Sequence, residues 1–174
     1  CHNDSQLLSS FITYSKLVII NASRISKQRY KSMNINLFAI GKVREKFIKL
    51  GVNEFKKRLQ PYCNLSLHSV REEQVHDSMS EAEINHAKKI EGEKILQRIK
   101  PNAYTIALDL RGKQFSSEQF ASRLEQISFQ GKNNVTFIIG GANGLSEEVI
   151  ARANETISFS KMTFPHQLMQ LILL

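Results

Sequence analysis

Val135-Thr136-Phe137-Ile138-Ile139, followed at once by Gly140-Gly141-Ala142-Asn143-Gly144-Leu145-Ser146, is the stretch whose reading decides the fold. It places a glycine-rich turn between a buried strand and a helix. In an open α/β sheet that position, at the carboxyl end of a strand, is where ligands bind. Glycine there lets backbone amides approach a ligand closely. The spacing is not the dinucleotide fingerprint, because Ala142 and Asn143 stand where that pattern wants glycine, and no Lys-Ser/Thr follows to make a phosphate loop. Two readings stay open for the turn: a ligand-binding backbone, or a tight turn needing positive φ with Ser146 as the cap of the next helix.

Outward from this unit the chain alternates strand-like and helix-like segments from Met33 onward, the signature of an α/β domain with a mostly parallel sheet flanked by helices. The first strand is expected over 34–40. Val43, Phe47, Leu50, Phe55 and Leu59 recur at roughly helical spacing and predict an amphipathic helix over 43–59, closed by Pro61. Asn64 to Val70 reads as a strand leaning toward an edge. Ser80-Glu81-Ala82-Glu83 matches a capping box and opens a helix expected over 81–99. Ala103 to Leu110 is nearly continuous in apolar residues, as a strand buried on both faces should be, with Asp109 at its carboxyl end. Ser116-Ser117-Glu118-Gln119 caps a helix carrying Phe120, Leu124 and Ile127. Beyond the glycine turn come a short helix (146–153), a strand from Thr156 to Ser160, and a helix after Pro165. That last helix is apolar almost all round and needs cover on every side.

The 174 residues suffice for one globular core with an appendage. Lys and Arg number 24 against 16 Asp and Glu, a formal charge of +8 that favours a polyanionic partner such as nucleic acid. Residues 1–32 contribute half of it, with five basic residues and one acid. They lack clear periodicity and are expected to be an N-terminal extension, disordered or non-native, ahead of a domain spanning 33–174. Cys1 and Cys63 alone support neither a disulfide framework nor a cysteine zinc site, which fits a reducing, cytoplasmic setting. The apolar stretch Leu7–Ile20 is interrupted by Lys16 and polar residues, so neither a signal peptide nor a membrane span is expected. His68, His76 and His86 show no metal-ligand spacing and read as surface residues. No metal is assigned.

Two further segments could carry chemistry. Phe159-Ser160-Lys161-Met162-Thr163-Phe164-Pro165-His166 joins the last strand to the last helix. Its aromatics, Met162 and free backbone groups suit an adenine pocket, although ordinary core packing is the better account of Phe159 and Phe164 taken singly. Pro165 suits a first helical turn and would set His166 at a helix N-terminus, where the dipole disfavours imidazolium. A neutral His166 can accept a proton; a polar cap is the alternative. Asp109-Leu110-Arg111-Gly112 also lies at a strand's carboxyl end, and Asp109 reads either as a ligand-orienting group or as a turn carboxylate.

Met33 to Lys42, the Ala107-Leu108-Asp109 strand end with Gly112-Lys113, Ile138 to Ser146, and Met162-Thr163-Phe164-Pro165-His166 occur together in the order and spacing of one family. The chain resembles the SPOUT-class ribosomal large subunit methyltransferase H family from Met33 to Leu174. The Gly-Gly-x-x-Gly-Leu-Ser turn coupled to Thr-Phe-Pro-His is the specific part of the match. The resemblance implies an α/β fold with a C-terminal trefoil knot and a homodimer with a composite active site. It implies S-adenosylmethionine (SAM) held near Leu108, Gly140 and the segment Phe159, Ser160, Lys161, Met162, Thr163 and Phe164. The implied substrate is a pseudouridine of 23S ribosomal RNA within the ribosome, methylated at N3, with His166 as candidate base. Members of the family continue past the equivalent of Leu174 and have no counterpart of residues 1–32, so the last helix is expected to be incomplete. A non-catalytic RNA- or ribosome-binding module with the same fold is the alternative reading.

Overall fold

The computed structural model describes residues 33–174; the extension expected over 1–32 lies outside the described residues. In chain order the elements are β1 (Asn34–Ile40), α1 (Lys46–Leu59), β2 (Asn64–Val70), α2 (Glu81–Leu96), β3 (Tyr104–Gln114), α3 (Ser117–Phe129), β4 (Asn134–Ile139), α4 (Glu147–Arg152), β5 (Glu155–Ser158) and α5 (His166–Leu173). The strands form one sheet in the order β2-β1-β4-β3-β5, and every pairing is parallel. The α/β reading with a mostly parallel sheet holds, and β2 is an edge strand as its alternating pattern suggested.

Strand residues alternate between two cores, as their period of two requires. Ile35, Leu37 and Ala39 of β1, Val135, Phe137 and Ile139 of β4, and Ile106 of β3 pack on one face with α1, α3 and α5 through Leu59, Phe120, Leu124, Ile127 and Leu173. Phe38, Ile40, Ala107 and Ile138 face the other way, toward Ile95 of α2 and Val149 of α4. Crossovers toward β2 use the first face and crossovers toward β5 use the second, so all share one hand. The chain leaves β5 at the sheet edge, and α5 then packs against α1 and β4. The connection 159–165 must therefore run back across the carboxyl ends of the strands.

Both expected capping boxes are present. Ser80 and Glu83 exchange side-chain and backbone hydrogen bonds at the start of α2, as do Ser116 and Gln119 at the start of α3. Four boundaries differ from expectation, one of them that of β5, which ends at Ser158 rather than Ser160 because Ser158 and Ser160 fold into the bend that follows. α1 begins at Lys46 rather than Val43, because Glu45 is extended (φ −67°, ψ 125°) and caps nothing. Its inward face is Ile48, Val52 and Leu59, while Phe47 and Leu50 are 65% and 61% exposed; the anticipated apolar stripe was rotated off the true one. α2 stops at Leu96 and gives way to a turn. β3 runs on to Gln114, because after Leu108 it bulges away and returns, so that both Leu108 and Lys113 pair with Ile157 of β5. His68 is also no free surface residue, since its ring stacks on Phe38 at 4.5 Å.

The last helix finds most of the cover its composition demands. Leu173 is buried, Met169 and Leu174 pack against the first core, and Leu171 lies over Gly51 of α1. Ile172 keeps 37% exposure.

Candidate functional site

The glycine turn after β4 doubles back tightly on itself. Gly144 donates its amide to the Gly141 carbonyl at 3.1 Å and has φ +81°, a value costly for any side chain-bearing residue. A Cβ on Gly140 would stand 2.7 Å from the Gly144 carbonyl carbon, so residue 140 has no room for one. Ser146 then caps α4, accepting from the Val149 amide at 3.4 Å. The turn reading is thus met in full, with Gly140 itself buried at the end of β4.

Facing it is the connection 159–165. Ser158 Oγ donates to the Ser160 carbonyl at 2.8 Å, and the Met162 amide donates to Ser160 Oγ at 2.9 Å, which folds the segment into a compact bend. Phe159 turns partly into the core, edge-on to Phe120 with centroids 6.2 Å apart. Met162 stands 70% exposed. Pro165 is the N-cap of α5 rather than its first residue; its carbonyl accepts from the Leu168 and Met169 amides. His166 therefore opens the helix, as expected. The adjacent Gln167 Oε1 accepts from the Arg44 amide at 2.8 Å and ties this helix start to the connection after β1.

The third wall is the β3 bulge. Asp109 accepts from the Arg111 amide and Nε at 2.9 Å each through Oδ1, and from Nη2 at 3.3 Å through Oδ2. Those Arg111 hydrogen bonds hold the Asp109 carboxyl below its ordinary range. The guanidinium also reaches Glu147 at 2.9 Å and links β3 to the start of α4. Asp109 is a turn carboxylate with both oxygens engaged.

Together these segments enclose a cleft of about 890 Å³, within the range of small-molecule sites. Leu108, Gly140, Phe159, Ser160, Met162, Thr163, Phe164 and His166 all line it. Lys161 alone of the expected site residues does not; it is exposed beside the cleft. The sequence reading missed Lys88 of α2, Glu147 and Met169, which also contribute. Nothing local marked them, since each reaches the cleft only through the packing of its helix. Among the described residues, no group of three or more His, Cys, Asp or Glu side chains is placed to hold a metal ion.

A family model described as "Predicted SPOUT methyltransferase" matches residues 33–174. The chain belongs to the SPOUT methyltransferase family. Curated relatives agree. A protein of Exiguobacterium sibiricum named ribosomal RNA large subunit methyltransferase H is 48% identical over 141 residues, covering 81% of this chain and 89% of the relative. Proteins of the same name from Clostridium novyi and Clostridioides difficile are 49% and 48% identical over 142 residues, again covering 82% of this chain and 89% of theirs. This methyltransferase therefore carries its cleft where the family match, the glycine turn and the Thr-Phe-Pro-His segment coincide.

Proposed function

We propose that the protein transfers the methyl group of SAM to N3 of a pseudouridine in 23S ribosomal RNA, acting on the ribosome. The observation that carries this reading is the meeting of the Gly140 turn, the 159–165 bend and His166 in one cleft at the strands' carboxyl ends. The residues suit the ligand. Leu108, Ile139, Phe159 and Phe164 offer apolar surface for an adenine, Gly140 admits close backbone approach, and Lys88 at the wall supplies a positive charge for the carboxylate of SAM. Bound SAM supplies an electrophilic sulfonium methyl.

The chain's own residues have two tasks. The 140–144 turn and the 159–165 bend fix the donor so that its methyl lies in line with the acceptor nitrogen. His166 takes the imide proton, since N3 attacks only as that proton leaves. The RNA partner is supported by the formal charge of +8 and by the names of the relatives. A homodimer is supported by Phe47, Leu50 and Ile172, exposed apolar side chains on the mutually packed α1 and α5. No helix among the described residues is long and apolar enough to cross a membrane, and work on ribosomal RNA fits the cytoplasm. The trefoil knot belongs to the same reading, supported by the return of α5 across the sheet after β5.

Calorimetric titration of SAM, followed by transfer of labelled methyl to ribosomes, tests the proposal. Binding in the micromolar range with one methyl per ribosome is expected. No SAM binding would defeat it, and RNA binding indifferent to SAM would favour the non-catalytic module instead.

A further inference from the structure

Three carboxylates, Glu72 and Glu73 on the segment after β2 and Glu91 on α2, are not used by the function above. Glu91 of α2 is 5% exposed and accepts from the Glu73 amide at 2.8 Å. Glu73 in turn pairs through its side chain with Lys94 of the same helix. Residue 73 is thus anchored to α2 through both backbone and side chain, which fixes the direction in which its neighbour Glu72 points.

That direction is toward the back of the candidate site. Glu72 Oε1 lies 3.2 Å from the position a Cβ on Gly141 would take, and Oε2 lies 3.3 Å from that of a Cβ on Gly41. His166 Nε2 lies 3.3 Å from the same point over Gly41. A carboxylate oxygen and an imidazole nitrogen therefore flank one spot, and no side chain divides them because residue 41 is a glycine at φ +80°. Gly41 is itself held, its amide donating to the Val70 carbonyl at 2.9 Å and its carbonyl accepting from Ser69 Oγ at 2.9 Å. Among the described residues the Glu72 carboxylate has no hydrogen-bond donor or cation as partner. Glu72 is absent from the cleft lining, whereas His166 and Gly141 belong to it.

We propose that Glu72 is a positioning residue for His166: the two do not touch in this structure, but a turn of the His166 ring across the open space over Gly41 brings Nε2 to the unpartnered carboxylate, which then accepts the Nε2 proton, holds the imidazole as the Nε2–H tautomer and leaves Nδ1 as the proton acceptor. This rests on His166 being the base of the proposed reaction. In the transfer, the N3–H proton passes to Nδ1 and the N3 electron pair forms the bond to the methyl carbon. The carbon–sulfur bond breaks, its pair remaining on sulfur. The imidazolium so formed is stabilised by the carboxylate behind it, and the proton is then lost to solvent.

Three measurements on the full chain test this. Glu72→Gln, which removes charge at constant size, should lower kcat for methyl transfer to ribosomes about 10- to 100-fold, with SAM affinity and ribosome KM within about twofold. Glu72→Asp should recover a large part of kcat. Proton–nitrogen-15 NMR of labelled histidine should show the His166 Nε2–H proton shifted downfield by its hydrogen bond to a carboxylate, and Glu72→Ala should lose that shift. A Gln variant with wild-type kcat overturns the proposal, as does a fall in kcat matched by an equal fall in SAM affinity, or an Nε2–H resonance indifferent to residue 72. If the wild-type protein transfers no methyl at all, the methyltransferase reading fails, and the Nε2–H measurement still decides whether Glu72 governs His166.

Discussion

Gly112 lies against the backbone of Ile157 so closely that a Cβ at residue 112 would stand 2.5 Å from the Ile157 carbonyl carbon and 2.6 Å from its nitrogen. This contact closes the β3 bulge, whose ends at Leu108 and Lys113 both pair with Ile157. Neither side can yield, because both are backbone. Gly112→Ala should cost about 3 kcal/mol, the upper range for overpacking, measured by urea unfolding. Because Leu108 to Arg111 wall the cleft, the same variant should also bind SAM more weakly.

Gly140 meets a different obstacle, the carbonyl of Gly144 within its own turn. Gly140→Ala forces the turn open where SAM would lie, while both cores stay clear of the change. SAM affinity should fall at least about tenfold, or roughly 1.4 kcal/mol, with a smaller loss of unfolding free energy. Calorimetry beside urea unfolding separates the two, and an unchanged affinity would remove the turn from the binding site.

Most of the fold was legible because its signals are local. The buried run Val135–Ile139, the Ser80 and Ser116 capping boxes and the edge-like alternation of β2 each declare themselves within a few residues. The misses arose where tertiary contacts decide. Phe47 and Leu50 look like core residues, but which stripe of α1 turns inward depends on where the helix starts, and uncapped Glu45 gives no signal. The continuation of β3 past Leu110 depends on Ile157, more than forty positions away. At the site, the glycine turn and Thr163 to His166 stood out as motifs. Lys88 and Glu72 did not, since only the packing of α2 and of the segment after β2 brings them there.

Asn34 forms the centre of a ladder at the amino ends of three adjacent strands. Its Nδ2 donates to Asn134 Oδ1 at 3.2 Å, and its Oδ1 accepts from Asn64 Nδ2 at 3.1 Å. The three residues are cross-strand partners in register. Asn34→Ala removes both hydrogen bonds, whereas Asn64→Ala removes one that is exposed. The first should cost about 1–2 kcal/mol and the second less than about 1 kcal/mol, and equal costs would show that the ladder does not act as a unit.

Cys63 is buried between α1 and β2, 4% exposed, and burial pushes its thiol from 9.0 up to about 11. The folded state therefore resists the thiolate that the unfolded state forms readily. With the folded value raised, the thiol's contribution to stability is fully present below pH 9 and is lost as pH rises toward 11, at about 1.4 kcal/mol per unit. Between pH 8 and pH 10 the wild-type protein should lose roughly 1 kcal/mol more than Cys63→Ala does, a comparison in which other titrating groups cancel. Alkylation by iodoacetamide, followed by mass on the peptide containing Cys63, should run about 100-fold slower at pH 8 in the folded protein than in urea. Equal slopes for the two proteins, with fast alkylation of the native state, would mean that residue 63 opens to solvent far more often than its packing under Leu59 implies.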